Sequence, residues 1–155
     1  MISIQINTES TTTSSTTTTS VTTSTPPSSL CANTTSSAFL YKNQFIYSPT
    51  SQTYAAGMLN NQFGVYKAYG YQNVTATAIW NAKQKPTTYE AYFVAQGDRN
   101  LVVYAASVGT VLWSANTASR VYGEPFCLNM LDTGILMYVD GSGSTIWQTN
   151  IEPNG

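Results

Sequence analysis

From about residue 38 onward the chain alternates apolar and polar positions in short runs, broken by turn residues and without helical periodicity. The stretch "VAQGDRNLVVY", residues 94–104, shows the pattern. Gln96, Asp98, Asn100, Val102 and Tyr104 fall on every second position, with Leu101 and Val103 between them. A β-strand has a side-chain period of two, so the spacing predicts one strand presenting all five from a single face. A mixed row of amide, carboxylate, amide, valine and phenol is either a wet strand surface or a binding row.

The pattern recurs. Trp80, Trp113 and Trp147 lie 33 and 34 residues apart, in "IWNAK", "LWSAN" and "IWQTN". Each follows a strand-like run that ends in tyrosine: "MLNNQFGVY" to Tyr66, "QGDRNLVVY" to Tyr104 and "MLDTGILMY" to Tyr138. "SVGT" and "DGSGS" separate the later Tyr–Trp pairs, which therefore read as hairpins. The first pair is five residues longer, and the extra length is expected in a long exposed loop, "KAYGYQNVTATA", carrying Asn73. A threefold repeat of this size requires a repeat architecture. Three small sheets, each with one apolar face, can close around a shared axis. Trp80, Trp113 and Trp147 are expected to fill it, because an indole buries much area with few rotatable bonds.

The N-terminal region is different. Residues 8–29, "TESTTTSSTTTTSVTTSTPPSS", cannot bury a core. They read as a disordered linker, an O-glycosylated stalk or, since Ile2, Ile4 and Ile6 alternate with polar residues, an extended segment donated to a neighbour's sheet edge. The division is therefore a tail over 1–30 and one domain over 31–155.

Composition narrows the function. Of the 155 residues 42% are hydrophobic and only 8% charged, with a net charge of −1, so nothing draws nucleic acid or an anionic membrane. No apolar run is long enough to span a bilayer. The absence of histidine removes the commonest general base and metal ligand, and no cofactor or metal is expected. Asp98 and Asp132 are expected on different sheets, and Glu90, Glu124 and Asp140 show no pairing, so an enzyme is not expected. Cys31 and Cys127 fit no zinc spacing and are either one disulfide closing a long loop or two free thiols. The opening "ISIQINTES" shows no secretory signal. Asn33 and Asn73 head glycosylation sequons, and these with the low charge point to an extracellular or cell-surface protein. A cytoplasmic location is the alternative.

Residues 96–104 match the Q-x-D-x-N-x-V-x-Y signature of the bulb-type (monocot) mannose-binding lectins, and the three Trp segments resemble that family's I-W-x-[ST]-N segments. Residues 39–57, "FLYKNQFIYSPTSQTYAAG", resemble its opening strands, so the similarity covers about residues 38–150. The resemblance implies an all-β, threefold pseudo-symmetric type II β-prism of three four-stranded antiparallel sheets that binds α-mannose-type sugars without catalysis or metal. It implies that Asp98 and Asn100 hold the axial 2-hydroxyl, Gln96 the 3-hydroxyl and Tyr104 the 4-hydroxyl, with Val102 packing on the C3–C4 edge.

The other repeats depart from the signature. The third aligns Met130, Asp132, Gly134, Leu136 and Tyr138, keeping Asp132 and Tyr138 as a degenerate second row. The first aligns Met58, Asn60, Gln62, Gly64 and Tyr66, keeping only the tyrosine. One intact row per chain makes useful avidity depend on a homo-oligomer, of which a filament built through the tail is one form. Three readings follow: a lectin module for mannose-containing glycans, a structural subunit of an extracellular filament or surface layer, and an intracellular relative that attaches vesicle glycans to the cytoskeleton.

Overall fold

The protein is described by a computed structural model over residues 25–120 and 123–150. The Ile2, Ile4 and Ile6 segment and most of the Ser/Thr tract lie outside the described residues. Twelve strands are present and no helix, among the described residues: β1 Ser29–Ala32, β2 Ala38–Leu40, β3 Phe45–Tyr47, β4 Tyr54–Leu59, β5 Gln62–Ala68, β6 Val74–Asn81, β7 Ala91–Ala95, β8 Leu101–Ala105, β9 Val111–Ser114, β10 Phe126–Met130, β11 Leu136–Val139 and β12 Thr145–Gln148. They form the expected three four-stranded antiparallel sheets, in the orders β3-β4-β5-β6, β2-β7-β8-β9 and β1-β10-β11-β12. Each repeat supplies three consecutive strands. The opening strands β1, β2 and β3 are dealt one to each sheet in reverse order, each at an edge.

Alternation puts one face of every sheet inward. Phe63 and Val65, Leu101 and Val103, and Leu128 and Leu136 are fully buried in one common core. Trp80, Trp113 and Trp147 sit on the opposite edge strands β6, β9 and β12 and meet one another. Their ring centroids lie 6.2 Å (Trp80–Trp113), 5.6 Å (Trp80–Trp147) and 5.9 Å (Trp113–Trp147) apart, edge to face. Such pairs contribute about 0.5–1.5 kcal/mol each beyond their burial.

Two expectations change, and one open alternative is decided. The domain begins before residue 31, because Ser29 and Leu30 pair with Asn129 and Leu128, and Tyr47 N donates to Pro27 O. The added length of the first repeat is not a long loop. β5 and β6 extend through it and leave a turn over 69–73, closed by Tyr69 N donating to Asn73 O (2.8 Å), with Asn73 exposed. Cys31 and Cys127, opposite each other on β1 and β10, are joined by a disulfide. Asn33 lies in the turn after β1, where its Oδ1 accepts from Thr35 N and Oγ.

Candidate functional site

The predicted row is not one strand. Residues 96–100 are the connection between β7 and β8, and only Val102 and Tyr104 lie on β8. The connection has its own logic. Gln96 N donates to Asn100 O (2.8 Å) and Arg99 N to Gln96 O (3.0 Å). Asp98 Oδ1 accepts from Asn100 N (2.9 Å), an Asp side chain closing its own turn. Arg99 takes a left-handed φ of 70°. Gly97 faces the turn after β1, where a Cβ would come within 2.8 Å of Asn33 O, so that position admits only glycine.

The turn gathers the polar groups by folding back rather than by alternation. Gln96 Nε2 donates to the Tyr104 hydroxyl (3.2 Å), joining the two ends of the expected row. Asn100 Oδ1 accepts from Ser114 Oγ (3.2 Å) and Thr117 N (3.0 Å). That anchors the amide by its oxygen and leaves its NH₂ as the free donor. Asp98 is exposed, while Gln96, Asn100 and Tyr104 are half-buried. Val102 is 2% exposed, so it forms the floor of the site and offers almost no surface of its own.

Sequence reading missed the clasp that holds this turn. Thr117 Oγ donates to Arg99 O (2.8 Å), and Arg99 Nε donates to Thr117 O (3.3 Å). Ser114 and Thr117 follow Trp113 in "LWSANT", so the repeat carried the signal, but its polar residues were read only as a repeat marker.

The other two rows are not built like the middle one. Three pairs fix the equivalence: Met58 opposite Phe63, Ala95 opposite Leu101, and Met130 opposite Leu136. Ala82, Ala115 and Thr149 donate from their backbone to Phe63, Leu101 and Leu136 in the same way. Met58 and Met130 therefore match the core residue Ala95, not Gln96.

In the first repeat the connection is one residue shorter, with Asn60 and Asn61 at φ 49° and 62° in a tight two-residue turn. Its outer face is filled by its own side chains. The Phe45 ring lies 6.0 Å from the Tyr66 ring, edge to face. A Cβ on Gly57 would meet Gln44 O at 2.1 Å, which shows how tightly β3 lies on β4. Tyr66 is buried with its hydroxyl turned to Gln62 O, and burial pushes its pKa up to about 12.

In the third repeat Tyr138 pairs with Trp147, as Val103 pairs with Trp113. It is thus the counterpart of Val103, not of Tyr104, and points into the core at 0% exposure. The nine-residue Tyr–Trp spacing matched while the register did not, and one residue of slip turns a side chain to the other face. Asp132 corresponds to Gly97 and works elsewhere, since its Oδ1 accepts from Thr50 N and from Ser51 N and Oγ. Hydrogen bonds from Thr50, then Ser51, hold its carboxyl below the usual range. The degenerate second row is therefore not assembled.

Tyr138 yields one prediction. Its hydroxyl is buried without a hydrogen-bond partner among the described residues, and burial holds its pKa far above that of a free phenol. An unsatisfied buried polar group costs about 1–3 kcal/mol. Tyr138→Phe is expected to raise stability by ~1 kcal/mol, seen as a higher melting midpoint by scanning calorimetry. A lower midpoint would show that the hydroxyl is satisfied in solution.

Among the described residues no group of His, Cys, Asp and Glu is placed to hold a metal ion. No family model matches the chain, and no curated protein does. Solved structures do match. The Marasmius oreades lectin aligns with a TM-score of 0.60 at 20% identity, over 81% of this chain and 92% of that one. A monomeric monocot mannose-binding lectin from Gastrodia elata aligns at 0.60 and 22% identity, over 79% and 96%. A lectin from Allium sativum aligns at 0.55 and 25% identity, over 79% and 99%.

Proposed function

We propose that this chain, which has the type II β-prism fold of the bulb-type mannose-binding lectins, is a carbohydrate-binding module that holds an α-mannose-type sugar at its middle repeat. The observation that carries the reading is the β7–β8 connection. Together with Tyr104 on β8, it alone among the three combines two amides, a carboxylate and a phenol, and it holds Gln96, Asp98 and Asn100 in place by one end.

A hexose presents hydroxyls that both donate and accept. Asp98 accepts strongly, the anchored Asn100 amide donates, and the two together suit the axial 2-hydroxyl. Gln96 and Tyr104, already bonded to each other, reach the 3- and 4-hydroxyls. An equatorial 2-hydroxyl leaves Asp98 and Asn100 unmatched, which costs about 1–3 kcal/mol and disfavours glucose. The reading requires binding without catalysis.

Three further points belong to it. One assembled row per chain makes avidity depend on several copies held together. The disulfide supports an oxidising, extracellular setting. The exposed Asn73 supports glycosylation there.

Titration with methyl α-mannoside and methyl α-glucoside, followed by amide chemical shifts, tests the proposal. Shifts confined to residues 96–104 and 114–117, with mannoside preferred, are expected. Equal response to both sugars, or shifts elsewhere, would overturn it.

A further inference from the structure

The middle sheet carries a feature that the signature row does not use. Its outer face holds four aromatic rings in a continuous strip. The Tyr104 ring stacks on Tyr92 at 5.8 Å with 28° between planes. Tyr92 lies 5.9 Å from Tyr41 and 6.1 Å from Phe39. Phe39 and Tyr41 lie 5.9 Å apart and are nearly parallel, at 9°. Both are open, at 41% and 52% exposure. They stand on and just beyond the edge strand β2, where the turn is fixed by Tyr41 N donating to Gln44 Oε1 (2.9 Å).

Contiguous exposed rings on a small protein mark a contact surface. The comparison within the molecule makes this one specific. On the first sheet the equivalent rings of the strands are closed off, with Tyr47 and Tyr66 buried around Phe45, and the open ring there, Tyr71, comes from the turn after β5 and covers Tyr47 edge-on. On the third sheet the outward positions carry Ser29, Cys31, Cys127, Asn129 and Met137, with no ring. The open aromatic strip therefore occurs on the one sheet that also assembles the polar row. Tyr104 belongs to both, its hydroxyl on Gln96 and its ring on Tyr92.

We infer that Tyr92, Tyr41 and Phe39 form an extended subsite for the next one or two pyranose residues of an oligosaccharide whose terminal residue sits on Gln96–Asn100. The inference rests on the sugar-binding reading of that turn. A pyranose has a face of axial C–H bonds carrying slight positive charge, and an aromatic face is negative, so the two stack. The hydroxyl edge stays in water, which a half-exposed strip permits. Each ring-to-ring step is close to the length of one sugar residue, so a linked chain advances along the strip ring by ring. Continuity with the polar row selects a glycan over another apolar partner.

The test compares methyl α-mannoside with an α-linked mannotriose by calorimetry, on the wild-type chain, Phe39→Ala/Tyr41→Ala, Phe39→Leu/Tyr41→Leu and Asp98→Ala. The wild type is expected to bind the mannotriose more tightly than the mannoside. The ratio of the two affinities is expected to fall about tenfold in both double variants, since leucine keeps the apolar bulk but not the ring face. Ring-current shifts of the second and third sugars' C–H protons are expected in the wild type and absent from the double variants. A general folding defect lowers both affinities and leaves the ratio unchanged, which overturns the subsite. Mannotriose lost in Asp98→Ala but unaffected in the double variants overturns the subsite and leaves the sugar row standing. Mannotriose retained in Asp98→Ala but lost in the double variants upholds the subsite and overturns the row. Concentration-dependent self-association of the wild type that the double variants abolish assigns the strip to a second copy of the chain and overturns the subsite.

Discussion

Replacing both Cys31 and Cys127 with serine is expected to destabilise the protein by about 4 kcal/mol and to lower its melting midpoint by more than about 10 °C. The bond spans a sequence separation of 96 residues, so it removes a large loop-closure entropy from the unfolded chain. The folded side adds to the effect. β1 has four residues, lies at a sheet edge, and buries only Ala32 fully. Beyond its ladder with β10 it gains one side-chain hydrogen bond, Ser29 Oγ to Asn129 Oδ1 (2.6 Å). Without the bridge, β1 has little beyond its ladder to keep it on β10, and the third sheet can lose its edge strand. Denaturant unfolding with and without reductant measures the loss, and amide exchange along β1 and β10 shows where opening starts. An unchanged midpoint after reduction would mean that the ladder alone holds β1.

The second large effect is on sugar binding. Asp98→Ala is expected to weaken methyl α-mannoside binding about 10- to 150-fold, since a hydrogen bond to a charged group contributes about 1.5–3 kcal/mol. Asp98 also closes its own turn through Asn100 N, so the alanine variant removes both a ligand contact and a local brace. Asp98→Asn separates them. It keeps an oxygen for the turn and loses the charge, and is expected to weaken binding about tenfold while the amide spectrum of residues 96–100 stays in place. Asn100→Ala is expected to act more broadly, because Asn100 Oδ1 also receives Ser114 and Thr117. Mannoside binding that survives Asp98→Ala and Asn100→Ala together would end the assignment of the site.

Much of the candidate site was legible because its chemistry is local. Gln96, Asp98 and Asn100 lie within five residues, and any turn there brings them together. The manner of assembly was not legible. Alternation over 94–104 reads as one strand, yet Gly97 and Asp98 break the ladder, and backbone bonds from Gln96 and Arg99 close a hairpin connection. Ser114 and Thr117 were missed because, although the hairpin pattern returns β9 beside β8, their partners Asn100 and Arg99 lie in a turn that the alternation reads as strand.

The sequence alone determined the architecture. The Trp80, Trp113 and Trp147 spacing requires three units, apolar alternation requires sheets with one inward face, and three such faces have to share one core. Only the tertiary structure decided register. Tyr104 and Tyr138 each precede their tryptophan by nine residues, yet one faces solvent beside Gln96 and the other ends in the core with no hydrogen-bond partner among the described residues. The cause is the length of the turn. The irregularity falls at the same place in both hairpins, just after the residue opposite the tryptophan, Val103 in one and Tyr138 in the other. The turn beyond it is one residue longer in the middle hairpin, where Tyr104 faces Val111, than in the third, where Val139 faces Thr145. Because side chains alternate with a period of two, that single residue sends equally spaced tyrosines to opposite faces.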